Sequence, residues 1–163
     1  MTVEHSHEQH SHEQHGPRMD FAGQAPGFYR AMVALNSAAT EGMDPELAGL
    51  VKIRASQINH CAFCLDLHGN EARKAGLSEQ RIALTAAWEE AGAIYTERER
   101  AALELTEAVT VLTDGFVPDA VYRRAAAQFT EPELAQLIAV IVTINAWNRV
   151  AVTTRRTITA RQG

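Results

Sequence analysis

Apolar side chains recur three and four positions apart along most of the chain, as in Phe28, Met32, Leu35 and Ala39, and again in Leu47, Leu50, Val51 and Ile58. That spacing predicts helices, and no segment alternates convincingly as a strand would. Helix starts are marked by Asp44-Pro45, an N-cap followed by a proline whose missing N–H costs nothing there, and by Ser78 before Glu79. Thr96 with Glu99, and Thr130 with Glu133, each fit a capping box, in which two side chains reciprocally satisfy free backbone N–H groups. Ala102, Leu105, Val109 and Leu112 form the apolar stripe of one helix, and Val121, Tyr122, Ala125 and Phe129 that of the next, with Asp114-Gly115 between them. From Glu131 to about Val152 the chain is apolar on most faces, which suits a central bundle helix or one buried between subunits. The expectation is an all-α, single-domain helical bundle of six or seven helices.

The amino terminus departs from this pattern. Residues 6–10 and 11–15 are the same pentapeptide, Ser-His-Glu-Gln-His, and residues 5–15 contain nothing apolar to bury. Residues 1–17 read as a disordered tail, either a solvated, tag-like extension or a loose imidazole site for nickel, zinc or copper, and residues 18–163 as the folded domain.

Charge narrows the function classes. A net charge of −5 and a pI near 5.8 provide no basic surface for nucleic acid or anionic lipid. The start lacks the basic and apolar regions of a secretory leader, so the expected location is the cytoplasm, where thiols stay reduced. The longest unbroken apolar run of the final helix, Leu137 to Val142, is shorter than a membrane span. Two cysteines three positions apart cannot staple a secreted scaffold, and point instead to local thiol chemistry.

That chemistry centres on Cys61, Cys64 and His68. Asn59-His60 breaks one helical stretch, so the cysteines open the next, where unpaired N–H groups and the helix dipole favour a thiolate. Cys61 and Cys64 lie one turn apart, within reach of a disulfide. His68 follows Cys64 by four residues and Cys61 by seven, which puts all three on one helix face. In the mechanism this spacing suggests, Cys64 attacks a peroxide oxygen, with His68 as its proton partner. The resulting sulfenic acid is resolved by Cys61 to a disulfide, and an external dithiol restores both thiols. The scheme requires no cofactor and no metal ion. Haem attachment would need histidine where Leu65 stands, and a thioredoxin-like site would need a preceding strand. Zinc would find three ligands here but no fourth. Inert, buried cysteines are the alternative without chemistry.

The stretch from Leu50 to Asn59, followed by Cys61-x-x-Cys64-x-x-x-His68, resembles the AhpD-like branch of the carboxymuconolactone decarboxylase family. The resemblance continues through Trp88, the run from Thr96 to Ala102 and the run from Ile144 to Arg149, and covers roughly residues 18–155. It implies an all-α fold assembled into trimers or hexamers. It also implies alkylhydroperoxide or disulfide reduction, with Cys64 peroxidatic and Cys61 resolving, and a reductant of the thioredoxin-like or lipoyl-protein kind. A non-enzymatic redox sensor or metal-binding module, and a decarboxylase that works without cysteines, are the competing functions.

Two positions depart from the peroxidase pattern. Gly49 stands twelve residues before Cys61, where that pattern has a relay glutamate, and Phe63 replaces a histidine before the second cysteine. Glu46, one turn earlier, and His60, just before Cys61, are the candidates to supply the missing groups; their other readings are an exposed helix-start acid and a polar junction residue. Trp88, Asn145, Trp147, Asn148 and Arg149 read as packing and interface residues and not as a substrate pocket.

Overall fold

A computed structural model describes residues 16–160. The histidine repeat, and the disordered tail expected there, lie outside the described residues. The chain forms α1 (Phe21–Gln24), α2 (Pro26–Thr40), α3 (Pro45–Ile58), α4 (Ala62–Ala75), α5 (Glu79–Leu84), α6 (Glu97–Thr110), α7 (Asp119–Gln128) and α8 (Glu131–Thr154), with 3-10 turns at Thr85–Glu90 and Gly92–Ile94. Among the described residues there are thus eight α-helices and no strand. The count exceeds the six or seven expected because α1 is a single turn, too short to show a period.

The helix starts follow from their caps. Asp44 accepts the Glu46 N–H at 2.9 Å with Pro45 in the first turn, and Ser78 accepts from Arg81. The capping boxes at Thr96 and Thr130 are both formed.

At the centre lies α3, which packs against α4, α6 and α8. Eight of its 14 residues are buried, so it carries no clean amphipathic stripe. Leu50, Val51 and Ile53 are within 2% of full burial, each contributing about 1.5–3 kcal/mol by leaving water. One cluster joins α3 through Val51 to Leu105, Leu137 and Ile141, and a second joins it through Leu50 and Ile53 to Leu77, Trp88 and Leu103. A third contains both cysteines with Ala55, Ile144 and Ala151, where α3, the start of α4 and α8 meet.

Some stripe residues face water. Met32 and Ala39 are buried, but Phe28 and Leu35 are exposed, because the surface helix α2 packs mainly on α8 and buries only a narrow strip. Leu112 lies beyond the end of α6 and is exposed, and Tyr122 is exposed beside the buried Val121 and Ala125. By length and mean hydropathy α8 would be long enough to cross a membrane, although its longest unbroken run is short. Half of its most apolar window is buried inside the bundle, and it carries buried, hydrogen-bonded Asn145 and Asn148, which suits a core helix.

Candidate active site

The turn that delivers the cysteines is built by His60. α3 ends in a Schellman arrangement, with His60 N–H bonded to Gln57 O at 3.1 Å and Cys61 N–H to Ser56 O at 2.9 Å. This requires a left-handed residue, and His60 takes it with φ 52°. Its side chain is exposed and does not line the cysteine cavity. His60 therefore shapes the backbone at the helix junction, the second of its two readings from sequence, and is not placed at the cavity as a proton carrier. Cys61 then caps α4, whose first turn carries Cys64 and whose second carries His68.

Cys61, Cys64 and His68 are all buried, and the two cysteines are free thiols. The Cys64 thiol donates toward the Cys61 sulfur, and this is the main cause holding the Cys61 pKa down to about 6, against the opposing effect of burial. The main-chain amide of Cys64 and the side chain of Asn148 add smaller contributions in the same direction. Cys64, the donor, is correspondingly pushed above the ordinary thiol range, with burial acting the same way. The contact thus favours a negative charge on Cys61 and a proton on Cys64, the two thiols titrating as a pair.

Access distinguishes the two sulfurs. A cavity of about 270 Å³ between α2, α4 and α8 is lined by Cys64 and His68, with Cys61 behind them outside the lining. Its walls are mainly apolar, including Tyr29, Phe63, Leu67 and Trp147, and the rings of Tyr29 and Trp147 meet edge to face at 5.4 Å. Trp147 thus belongs to the cavity wall, where the sequence suggested a packing or interface residue. Trp88 lies elsewhere, its indole N–H donated to Glu107 at 2.6 Å.

His68 has a partner that was not among the sequence candidates. Its Nδ1 lies 2.8 Å from Glu71 Oε2, so Nδ1 donates to the carboxylate and Nε2 is left for other work. That bond is the main cause lowering the Glu71 pKa, aided by electrostatic interaction with His68, Lys52 and Lys74. Glu71 is three residues after His68, a spacing that puts both on one helix face and could have revealed it. Lys52 lines the same cavity, and burial lowers its pKa while Glu71 opposes the shift.

Glu46 is not brought to the site. Its carboxylate accepts from Arg81 at 2.8 Å, and it does not line the cavity. Gly49 has a packing reason: a Cβ there would lie 3.1 Å from the Ala72 Cβ and 3.3 Å from Leu77 Cδ1, so α3 and α4 approach closely because residue 49 has no side chain. Behind the pair, Asn148 donates to Ser56 Oγ at 3.0 Å and accepts from Asn59 at 3.0 Å, while Asn59 also donates to Asn145 at 2.9 Å. Arg149 donates back to Asn145 at 2.9 Å. These polar groups of the last motif tie α8 to the end of α3. Among the described residues, no group of three or more His, Cys, Asp or Glu side chains is arranged to hold a metal ion.

Comparison with known proteins adds the lineage. The carboxymuconolactone decarboxylase family matches residues 26–108. YdfG of Bacillus subtilis, an uncharacterized protein, is 45% identical over 103 residues, 63% of this chain and 69% of its own. YnjA of Escherichia coli, also uncharacterized, is 33% identical over 99 residues, and the match spans 61% of this chain and 53% of YnjA. The crystal structure of ATU0492 from Agrobacterium tumefaciens superposes with a TM-score of 0.86 at 38% identity, covering 90% of this chain and 100% of that one. ATU0492 is described as a protein of unknown function, provisionally assigned as the antioxidant defence protein AhpD. The debrominase Bmp8 shares the fold, with a TM-score of 0.74 at 19% identity over 85% of this chain and 74% of its own. The chain belongs to the carboxymuconolactone decarboxylase family, in its AhpD-like branch.

Proposed function

We propose that this protein is a thiol-dependent peroxidase or disulfide reductase that cycles Cys61 and Cys64 between dithiol and disulfide. The observation that carries the reading is the arrangement of the pair: Cys64 faces an apolar cavity beside a Glu71-oriented His68, and an acidified Cys61 touches it from behind.

In the reaction the shared proton moves from Cys64 to Cys61, and the Cys64 thiolate attacks the terminal oxygen of the hydroperoxide. The O–O bond breaks, Cys64 becomes a sulfenic acid, and the departing alkoxide takes a proton from His68. Cys61 then attacks the Cys64 sulfur, water leaves, and the disulfide forms. An external dithiol, of the thioredoxin-like or lipoyl kind, reduces the disulfide, so that hydroperoxide and dithiol yield alcohol, water and disulfide. Glu71 accepts from Nδ1 of His68, and the Nε2–H of the protonated ring is the proton given to the alkoxide. A carboxylate from α4 thereby does the work for which the peroxidase pattern uses residue 49. The many exposed apolar residues of α2, among them Phe28, Val33 and Leu35, suit a homo-oligomer in which that helix is covered.

Peroxide consumption with a panel of dithiol donors tests the reading. Cys64→Ser should abolish turnover, and Cys61→Ser should accumulate sulfenic acid at Cys64. Equal turnover by wild type and Cys64→Ser would refute it.

A further inference from the structure

The wall of the Cys64 cavity includes a cation, Arg156, that takes no part in the thiol steps given above. α8 ends in a Schellman arrangement, with Arg155 N–H bonded to Val152 O at 3.2 Å and Arg156 N–H to Ala151 O at 2.9 Å. Arg155 takes the left-handed conformation this needs, with φ 51°. The chain is turned there, and the turn is further tied by Arg18, which donates its N–H to Thr154 O at 2.9 Å and its guanidinium to Thr153 O at 2.8 Å. The result is that Arg156 lies over the ring of Phe63, its guanidinium carbon 4.1 Å from the ring centroid.

Phe63 precedes Cys64 in the chain, so this stack sets a positive charge at the exposed rim of the cavity that Cys64 faces. The charge is felt at the Cys64 sulfur. Of the other ionisable groups lining the cavity, Lys52 and His68 both face Glu71, the one carboxylate among the described lining residues. Arg156 does not: among the described residues, no carboxylate lies within ion-pair distance of it, and its guanidinium makes no hydrogen bond. Stacking on the ring leaves the N–H edges of the planar fork open to a ligand, and such a fork matches a carboxylate with two parallel bonds. The remainder of the wall is apolar and aromatic, with space for an organic body much larger than hydrogen peroxide.

Building on the peroxidase reading, we propose that Arg156 is a specificity-determining residue that selects carboxylate-bearing organic hydroperoxides. The carboxylate is bound at the Arg156 rim, the hydrocarbon body lies against Tyr29, Phe63 and Trp147, and the peroxide group reaches Cys64. The chemical step is the one given above. Arg156 binds a remote, non-reacting part of the substrate, so its effect falls on kcat/KM for anionic substrates and not on the chemistry of small peroxides.

Two measurements separate this inference from the reading beneath it. The first compares kcat/KM for a fatty-acid hydroperoxide, its methyl ester and hydrogen peroxide. Arg156→Gln should lower the value for the acid by about tenfold or more, Arg156→Lys should recover part of the loss, and the acid-to-ester ratio should fall accordingly. The second needs no turnover: the rates at which iodoacetate and iodoacetamide alkylate Cys64 in the reduced protein, mapped by mass spectrometry. Their ratio cancels any change in Cys64 ionisation. Relative to a free thiol, the wild type should favour the anionic reagent, and Arg156→Gln should remove that preference while added salt weakens it. Arg156 is exposed, so its replacement leaves the core intact. An alkylation ratio unchanged in Arg156→Gln would overturn the anion-selecting role, whatever the peroxide assay gives. Absence of turnover on every peroxide, with the ratio shifted as expected, would refute peroxidase activity and leave Arg156 as the anion-recognising residue of a thiol site with another electrophile.

Discussion

Replacing Gly49 with alanine tests whether the close approach of α3 and α4 explains the glycine. In an open helix interior, Gly→Ala stabilises by about 1 kcal/mol, because alanine loses less backbone entropy. At residue 49 the new Cβ would meet the Ala72 Cβ at 3.1 Å, the Ala72 Cα at 3.5 Å and Leu77 Cδ1 at 3.3 Å. Ala72 cannot swing aside, since its Cβ is fixed to the α4 backbone, and Leu77 is itself buried. Overpacking of this kind costs about 1–3 kcal/mol, so the net change is a loss of about 1 kcal/mol. For a domain of this size that lowers Tm by about 2–4 °C. Gly69 on α4 provides the control. Its Cβ would meet only the Arg73 Nη1 atom, at 3.5 Å, so Gly69→Ala should stabilise the fold by up to about 1 kcal/mol. Urea denaturation of the two variants should give shifts of opposite sign. A Gly49→Ala protein more stable than wild type would refute the packing argument. Gly49→Glu, which restores the residue of the peroxidase pattern, should be less stable than Gly49→Ala and gain no peroxidase activity.

Other outcomes follow from the same geometry. Thiolate absorbance against pH should rise with a midpoint near 6 in the wild type, because the Cys61 pKa is lowered and the pair is therefore ionised above that pH and neutral below it; Cys64→Ala removes the main cause and should move the midpoint up toward 9.0, and an unmoved midpoint would exclude the shared-proton pair. The folded protein holds fewer protons at Cys61 than the unfolded chain between these two values, so this contribution to stability fades as pH falls toward 6. Glu71→Ala should reduce peroxidase turnover about tenfold by releasing His68, whereas Glu71→Gln, which keeps an acceptor, should lose less; full activity in both would remove Glu71 from the mechanism. Asn148→Ala should destabilise the fold by about 2–3 kcal/mol through the hydrogen bonds lost with Ser56 and Asn59, and should also raise the Cys61 midpoint; a stability change within error would contradict the buried network. Thr96→Ala should cost about 1 kcal/mol by opening the α6 capping box, to be read by thermal melting with Glu99 as the paired control.

The long, well-capped helices were legible in the chain before folding, because capping and periodicity are local: Asp44-Pro45, Thr96 with Glu99, and Thr130 with Glu133 begin helices where their side chains dictate. The sequence likewise determined that Cys61, Cys64 and His68 share the start of one helix, since residues three and four apart are neighbours in any α-helix. Glu71 was open to the same rule but lay outside the motif. Tertiary structure decided what no local rule contains. It chose which half of the α2 stripe is buried, by offering α2 a single main partner. It engaged Glu46 with Arg81, left His60 as the left-handed turn between α3 and α4, and gave Gly49 its purpose where Ala72 comes close. It also brought together groups far apart in the chain: Tyr29 from α2, Cys64 from α4, Trp147 from α8 and Arg156 just beyond its end. Spacing along a helix follows from bond geometry and is written in the sequence. The walls of the cavity, and which of the two sulfurs it reaches, come from packing between helices and exist only in the folded chain.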